Sequence, residues 1–247
     1  SIDFDNYDTL IENILNNKNT LNYYLSIYNN ENYDLDVLFN IFNKYIARGK
    51  TDLAIKYIKE LVEKDKNEKY SIGDYAFYIL ALNSLKNGDT KYSEKFVKKY
   101  KNSKYLYIVY LALADHYLKK EDYVNARDTY KEYIKKFPND LNALNNFAYL
   151  SALLNKDLVQ ALNLIDKAIS LSKDNYSKSQ YMDTKIDILV KLRRYNDALE
   201  VIDIALQIVE DAELKNILQK KKLEVMGVLK KWIKVFLLLL QEVYNFL

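Results

Sequence analysis

Helical hairpins repeated in tandem, with no sheet, are the fold class this sequence predicts, and three observations carry the prediction. Four glycines and one proline in 247 residues leave little material for the tight turns that sheets and barrels need. Apolar residues recur at intervals of three and four, the period of one helix face, and not in the alternation of a strand. A small residue also returns at Ala54, Ser93, Ala126, Ala161 and Ala198, spaced 39, 33, 35 and 37 residues apart. Short variable loops between units of constant length give such spacings.

Taken in order, residues 1–34 hold two apolar stripes, Tyr7, Leu10, Ile11, Ile14 and Leu15, then Leu21, Tyr24, Leu25 and Tyr28. Six acidic residues against Lys18 give this segment a net charge of −5. A weak, solvated first unit suits an end cap, so residues 1–34 are expected to be a degenerate capping hairpin. Residues 35–212 are expected to hold five clearer hairpins, at 35–68, 74–107, 107–140, 141–175 and 179–212. The first has Leu38, Ile41, Phe42 and Tyr45, a turn at Arg48-Gly49-Lys50, then Leu53, Ala54, Ile58 and Leu61. The second repeats the plan with Phe77, Leu80, Ala81 and Leu85, a turn at Asn87-Gly88-Asp89, then Tyr92, Ser93, Phe96 and Val97. In the third, Pro138 stops the second helix because its ring cannot continue the hydrogen-bond ladder. The fourth and fifth place Leu144, Phe147 and Ala148 before Ala161 and Ile165, and Met182, Ile186 and Leu189 before Ala198 and Ile202.

The stretch YIVYLALADHYLKKEDYVNARDTYKEYIKKFPND, Tyr107 to Asp140, resembles the tetratricopeptide repeat, a helix–turn–helix unit of about 34 residues. The matching residues are Tyr110, Leu113, Ala114, Tyr117, Tyr123, Ala126, Tyr130 and Pro138, while Tyr133 stands where the family usually has alanine. The resemblance implies an all-α, tetratricopeptide-like α-solenoid, a right-handed superhelix of about six units followed by C-terminal helices. It also implies that the first helices of successive repeats line an open concave face. Projected onto this chain, that face takes Phe39, Asn40 and Asn43, then Tyr75, Tyr78, Ile79 and Leu82. Ile108, Leu111, Ala112 and Asp115 follow, then Asn142, Asn145, Asn146 and Tyr149, and last Gln180, Asp183 and Asp187. Its middle is apolar and aromatic, which suits an amphipathic helix or an extended apolar peptide of a partner protein. Family members that capture acidic C-termini use lysine and arginine clamps; Phe39, Asn43, Ile79, Ile108 and Ala112 stand there, so that specificity is not expected. Two segments, Phe96–Tyr105 and Tyr130–Asp140, are also similar to repeats of bacterial envelope-assembly lipoproteins. Three readings therefore stand: a non-catalytic peptide-binding scaffold, an envelope-assembly protein, or the helical accessory part of a larger enzyme.

Chemistry is sparse. Cysteine is absent, and His116, the one histidine, lies inside an expected helix beside Asp115. Neither a His/Cys metal cluster nor a cysteine nucleophile can be assembled. No glycine-rich phosphate loop exists among four scattered glycines, so no cofactor and no catalysis are expected. A net charge of +3, from 37 basic and 34 acidic residues, gives no nucleic-acid footprint. The chain starts at Ser1 with no apolar leader, read as a trimmed or mature segment whose compartment, cytoplasm or bacterial envelope, stays open.

Residues 213–226 read as a further helix that Gly227 interrupts. Beyond it, Trp232, Val235, Phe236, Leu239, Val243 and Phe246 fall on one side at helical spacing, with too few apolar residues for a bilayer span. They are expected to cap the array or to join a second copy. Contact with a membrane surface, helped by Lys230, Lys231 and Lys234, is the lesser expectation.

Overall fold

A computed structural model of the chain describes residues 18–30, 32–65 and 72–246, with side chains between 21 and 241. The first stripe of the expected N-terminal cap lies outside the described residues. All regular elements among those described are α-helices: α1 (Lys18–Asn29), α2 (Leu35–Ala47), α3 (Thr51–Lys64), α4 (Asp74–Lys86), α5 (Lys91–Lys99) and α6 (Leu106–Lys119). They continue with α7 (Tyr123–Lys136), α8 (Leu141–Leu153), α9 (Leu158–Leu171), α10 (Asn175–Lys191), α11 (Tyr195–Ile208) and α12 (Ala212–Phe246). The chain forms two compact units that meet within α6, one up to Leu113 and one from Ala114.

Each hairpin closes the same way. Where a first helix ends, one residue takes a left-handed backbone and the next amide reaches back five residues to a helix carbonyl. The bonds are Lys50 to Tyr45, Asp89 to Ser84, Asp122 to Tyr117 and Lys156 to Ser151, each 2.9 Å, and Arg194 to Leu189 at 2.8 Å. The left-handed residues are Gly49, Gly88, Glu121, Asn155 and Arg193. Glycine serves this position without strain, because a Cβ crowds the backbone at positive φ. The three side chains that replace it hold the same geometry at a cost.

The recurring small residues explain the packing. Ala54, Ser93, Ala126, Ala161 and Ala198 are all fully buried, at the places where paired helices come closest and a larger side chain would hold them apart. Ser93 fits because its buried hydroxyl donates to the Ala81 carbonyl at 3.0 Å, which offsets the cost of burying it.

In the first unit, α2 packs on α1 and α3, α3 on α4, and α4 on α5. Phe42, Phe77 and Phe96 fill the interior. In the second unit each helix from α7 to α12 packs on the next, and α8 also meets α10 and α10 meets α12. The first helices therefore stand in one row, α8, α10 and α12, with α7, α9 and α11 behind. Phe147, Ile165, Ile186 and Ile202 are sealed between the rows.

Two sequence expectations change. Gly227 does not interrupt anything: α12 runs through it as one helix of 35 residues. Glycine in a helix interior costs only about 1 kcal/mol, and strong helix formers flank it on both sides. Nor do the C-terminal aromatics cap the last hairpin. Leu218 and Val225, about four and two turns before Trp232, are buried there instead, while Trp232, Val235, Phe236 and Leu239 stand 44–59% exposed. Val243 and Phe246 lie beyond the described side chains.

Candidate functional site

Helix α4 is apolar on two sides, and this shapes the surface of the first unit. Ala76, Phe77, Leu80, Ala81 and Leu85 are buried in the interior. Tyr75, Tyr78, Ile79 and Leu82 occupy a different side of the helix, and none of them is sealed. Helix α6 behaves alike over its first two turns: Leu106, Val109 and Leu113 are buried, whereas Tyr107, Ile108 and Leu111 stay half-buried or exposed.

The two helices join through aromatic rings. The Tyr78 ring stacks on Tyr105 with centroids 4.5 Å apart and planes at 14°. Tyr75 meets the same Tyr105 ring at 5.7 Å and Tyr78 at 6.3 Å. Tyr75 remains 42% and the adjacent Tyr107 47% exposed. Burial, reinforced by Tyr105, Tyr75 and Tyr107, pushes the Tyr78 phenol above its ordinary pKa, and the patch presents ring faces and hydroxyls. Offset aromatic arrangements of this kind offer a rigid apolar surface with polar tips.

Tyr105 was not among the residues the sequence pointed to. It sits just before α6, outside the repeat phase, and its only signal is the run Tyr105-Leu106-Tyr107, which places two aromatics around a core leucine. On α2, Phe39 and Asn40 are half-buried and Asn43 exposed. Phe39 stacks on Phe42 at 6.2 Å, and the Asn40 amide donates to the Asp36 carbonyl at 2.9 Å within its own helix.

The expected residues of the second unit are more committed to internal bonds. Asp115 pairs with Lys119 at 2.6 Å. The Asn146 amide donates to the Tyr130 hydroxyl at 2.9 Å, and Asn142 accepts from the Tyr181 hydroxyl at 2.9 Å. Asn145 keeps a buried side-chain oxygen without a hydrogen-bond partner among the described residues, beside Tyr149, which is 49% exposed. Asp183 and Asp187, expected on the open face, are both held by Lys221 of α12 at 2.7 Å. Nothing in the sequence pattern flagged Arg127, whose side chain is 1% exposed and lies over the Phe147 ring. Ser151, Asp128 and Asp157 accept its hydrogen bonds. His116 packs edge-on against Tyr117 at 6.1 Å, and among the described residues no group of His, Cys, Asp and Glu could hold a metal ion.

No family model matches the chain. A TPR repeat-containing protein of Methanocaldococcus jannaschii is 29% identical over 194 residues, covering 68% of this chain and 32% of the relative. The chain thus spans about a third of that relative's length. Among solved structures, yeast Tom70 matches over 86% of this chain and 44% of its own, at 16% identity and a TM-score of 0.47. The TPR2AB domain of yeast Sti1, solved in complex with pHSP90, covers 83% and 90%, at 21% identity and a TM-score of 0.39. Neither likeness fixes a residue's role. Five hairpins with identical closures and buried small residues define the chain as a tandem helical-repeat protein. These repeats are similar to those of the TPR repeat-containing protein of M. jannaschii.

Proposed function

We propose that this chain is a non-catalytic protein-interaction scaffold, and that its first unit holds an apolar peptide segment or helix of a partner protein against α4 and the start of α6. The observation that carries this reading is the cluster of Tyr75, Tyr78 and Tyr105. Three tyrosine rings meet on a surface whose α4 residues Ile79 and Leu82 are only half-buried. Contiguous exposed apolar surface on a folded protein marks contact with another molecule. Tyrosines are well suited to such contact, since each gives large rigid area at low entropic cost and keeps a hydroxyl for hydrogen bonding. The Asn43 amide, exposed on α2, would pair with main-chain groups of a bound peptide.

Affinity capture followed by mass spectrometry tests this, with wild type compared against Tyr75→Ala/Tyr78→Ala. The double variant keeps its helical circular-dichroism signal, because neither ring is in the sealed interior, and loses the proteins that wild type retains. Equal capture by both removes the tyrosine surface as the binding site.

A further inference from the structure

For the same partner, and resting on that reading, we infer that its apolar segment is joined to an acidic stretch, which docks in a lysine-lined channel along α5 and the connection after it. From Lys91 to Lys104 six lysines stand against one carboxylate, Glu94, a net charge of +5. At about 100° per residue, Lys91, Lys95, Lys98 and Lys99 share one side of α5, with Ser93 and Phe96 buried away from it. Lys98 and Lys99 line two adjoining clefts at once. One, of about 580 Å³, they share with Lys91 and Lys95; the other, of about 470 Å³, with Lys101.

The second cleft reaches the tyrosine surface. It ends at Asp74 and Ser103, whose hydroxyl donates to the Asp74 carboxylate at 2.7 Å. Asp74 directly precedes Tyr75, and the Lys104 ammonium lies 5.1 Å over the Tyr105 ring that Tyr75 and Tyr78 both meet. A chain lying on the three rings can therefore run on into the channel. Lys91 to Lys98 spans about 10 Å of helix, and an extended chain advances about 3.3 Å per residue. A stretch of about six acidic residues would thus pass Lys104 and Lys101 and end near Lys91.

The lysines are placed to receive carboxylates. Lys91 sits over the Tyr92 ring at 5.4 Å and Lys99 over Tyr100 at 5.8 Å. Such contacts hold the ammonium groups in position and reduce the ordering that binding would otherwise cost. Among the described residues no carboxylate pairs with Lys91, Lys98, Lys101 or Lys104. The acids along the channel already have donors: Asp74 has Ser103, Asp89 the Lys91 amide at 2.9 Å, and Glu94 the Thr90 hydroxyl at 2.6 Å. Nucleic acid fits less well. Single strands bind where open ring faces let bases stack, but Tyr92 is 3% exposed and Tyr100 packs on Phe77 and Phe96 at 5.4 and 5.1 Å. A bilayer presents a plane, which the half-buried Lys95, set back over the Phe77 ring at 6.0 Å, would not reach.

Fluorescence anisotropy with a labelled polyglutamate of about 20 residues tests the channel on the full chain. Wild type is expected to bind it, less tightly as salt rises. Lys98→Glu/Lys101→Glu should bind at least tenfold more weakly with helicity kept, since both side chains are exposed. Lys119→Glu/Lys120→Glu, an equal charge change at exposed lysines of the second unit, should bind like wild type. Tyr75→Ala/Tyr78→Ala should also keep polyglutamate, so that the channel and the tyrosine surface can fail separately. Proteins captured by wild type should be displaced by free polyglutamate. The inference is overturned by a wild type that ignores polyglutamate, by equal losses in the two lysine variants, or by captured proteins that polyglutamate leaves in place. Tighter binding of oligothymidylate or of phosphatidylserine vesicles than of polyglutamate overturns it too.

Discussion

Replacing Arg127 tests whether charge or packing holds the second unit together at its buried cation. The guanidinium donates to Ser151 at 3.2 Å and to Asp128 at 2.6 Å, as well as to Asp157, and sits 5.1 Å from the Phe147 ring centre. Asp128 is exposed, and Asp157 also receives Lys131 at 2.9 Å. Both carboxylates would therefore be rehydrated or re-paired if the arginine left. Arg127→Met removes the charge and keeps most of the stem over Phe147. Exchanging a buried ion pair for a well-packed apolar side chain is often neutral, so the cost should stay below about 1 kcal/mol. Arg127→Ala also empties the space above Phe147, and large-to-small changes of this size cost about 2–4 kcal/mol. In a chain of this length that corresponds to about 4–16 °C in melting temperature, at about 2–4 °C per kcal/mol. Thermal melts followed at 222 nm compare the two. If methionine proves as damaging as alanine, the ionic bonds dominate and the packing argument fails.

Two further outcomes follow from the turns and the tyrosines. Glu121 holds a left-handed φ of 57° that glycine adopts freely. Glu121→Gly should raise stability by up to about 1 kcal/mol despite glycine's larger unfolded-state entropy; a clear loss in the same melts would show that the turn is not strained. Burial leads the causes that hold the phenols of Tyr28, Tyr33, Tyr57, Tyr78, Tyr92, Tyr130 and Tyr181 above their ordinary value, with Tyr92, hydrogen-bonded to Glu63, pushed up to about 12. Since folding raises these values, their contribution is complete below the unfolded pKa of about 10 and is lost as pH climbs from there through about 12. Melting temperature should fall across that window in step with tyrosinate absorbance at 295 nm. Ionisation near pH 10 with no loss of stability would contradict it.

Much of this fold was readable from the chain because its repeats impose the same demand at each turn. Ala54, Ser93, Ala126, Ala161 and Ala198 betray their role by recurrence, since no other size fits where two helices touch. Gly49 and Gly88 likewise announce their turns, but Glu121 and Arg193 take the same backbone without any residue preference that would reveal it. Arg127 was invisible for a different reason. On a helix it reads as one more surface charge, and only the three-dimensional approach of Phe147, Ser151 and Asp157 makes it a core residue. Of the proposed binding surface, Tyr75 and Tyr78 could be placed by counting along α4, whereas Tyr105 could not, because it lies in the connection ahead of α6. The C-terminal stripe was legible as apolar. Which part of α12 the last hairpin covers was not, since that depends on the lengths of α11 and α12 and on the lysine pairs that set the helix phase.

Site-specific photo-crosslinking tests the central claim most directly. With p-benzoylphenylalanine at Tyr75, ultraviolet light should join the chain to a partner protein, and the same probe at Tyr176, more exposed than Tyr75 but on α10, should not. Crosslinks from Tyr176 alone, or from neither position while capture still succeeds, would contradict a partner held on the tyrosine surface.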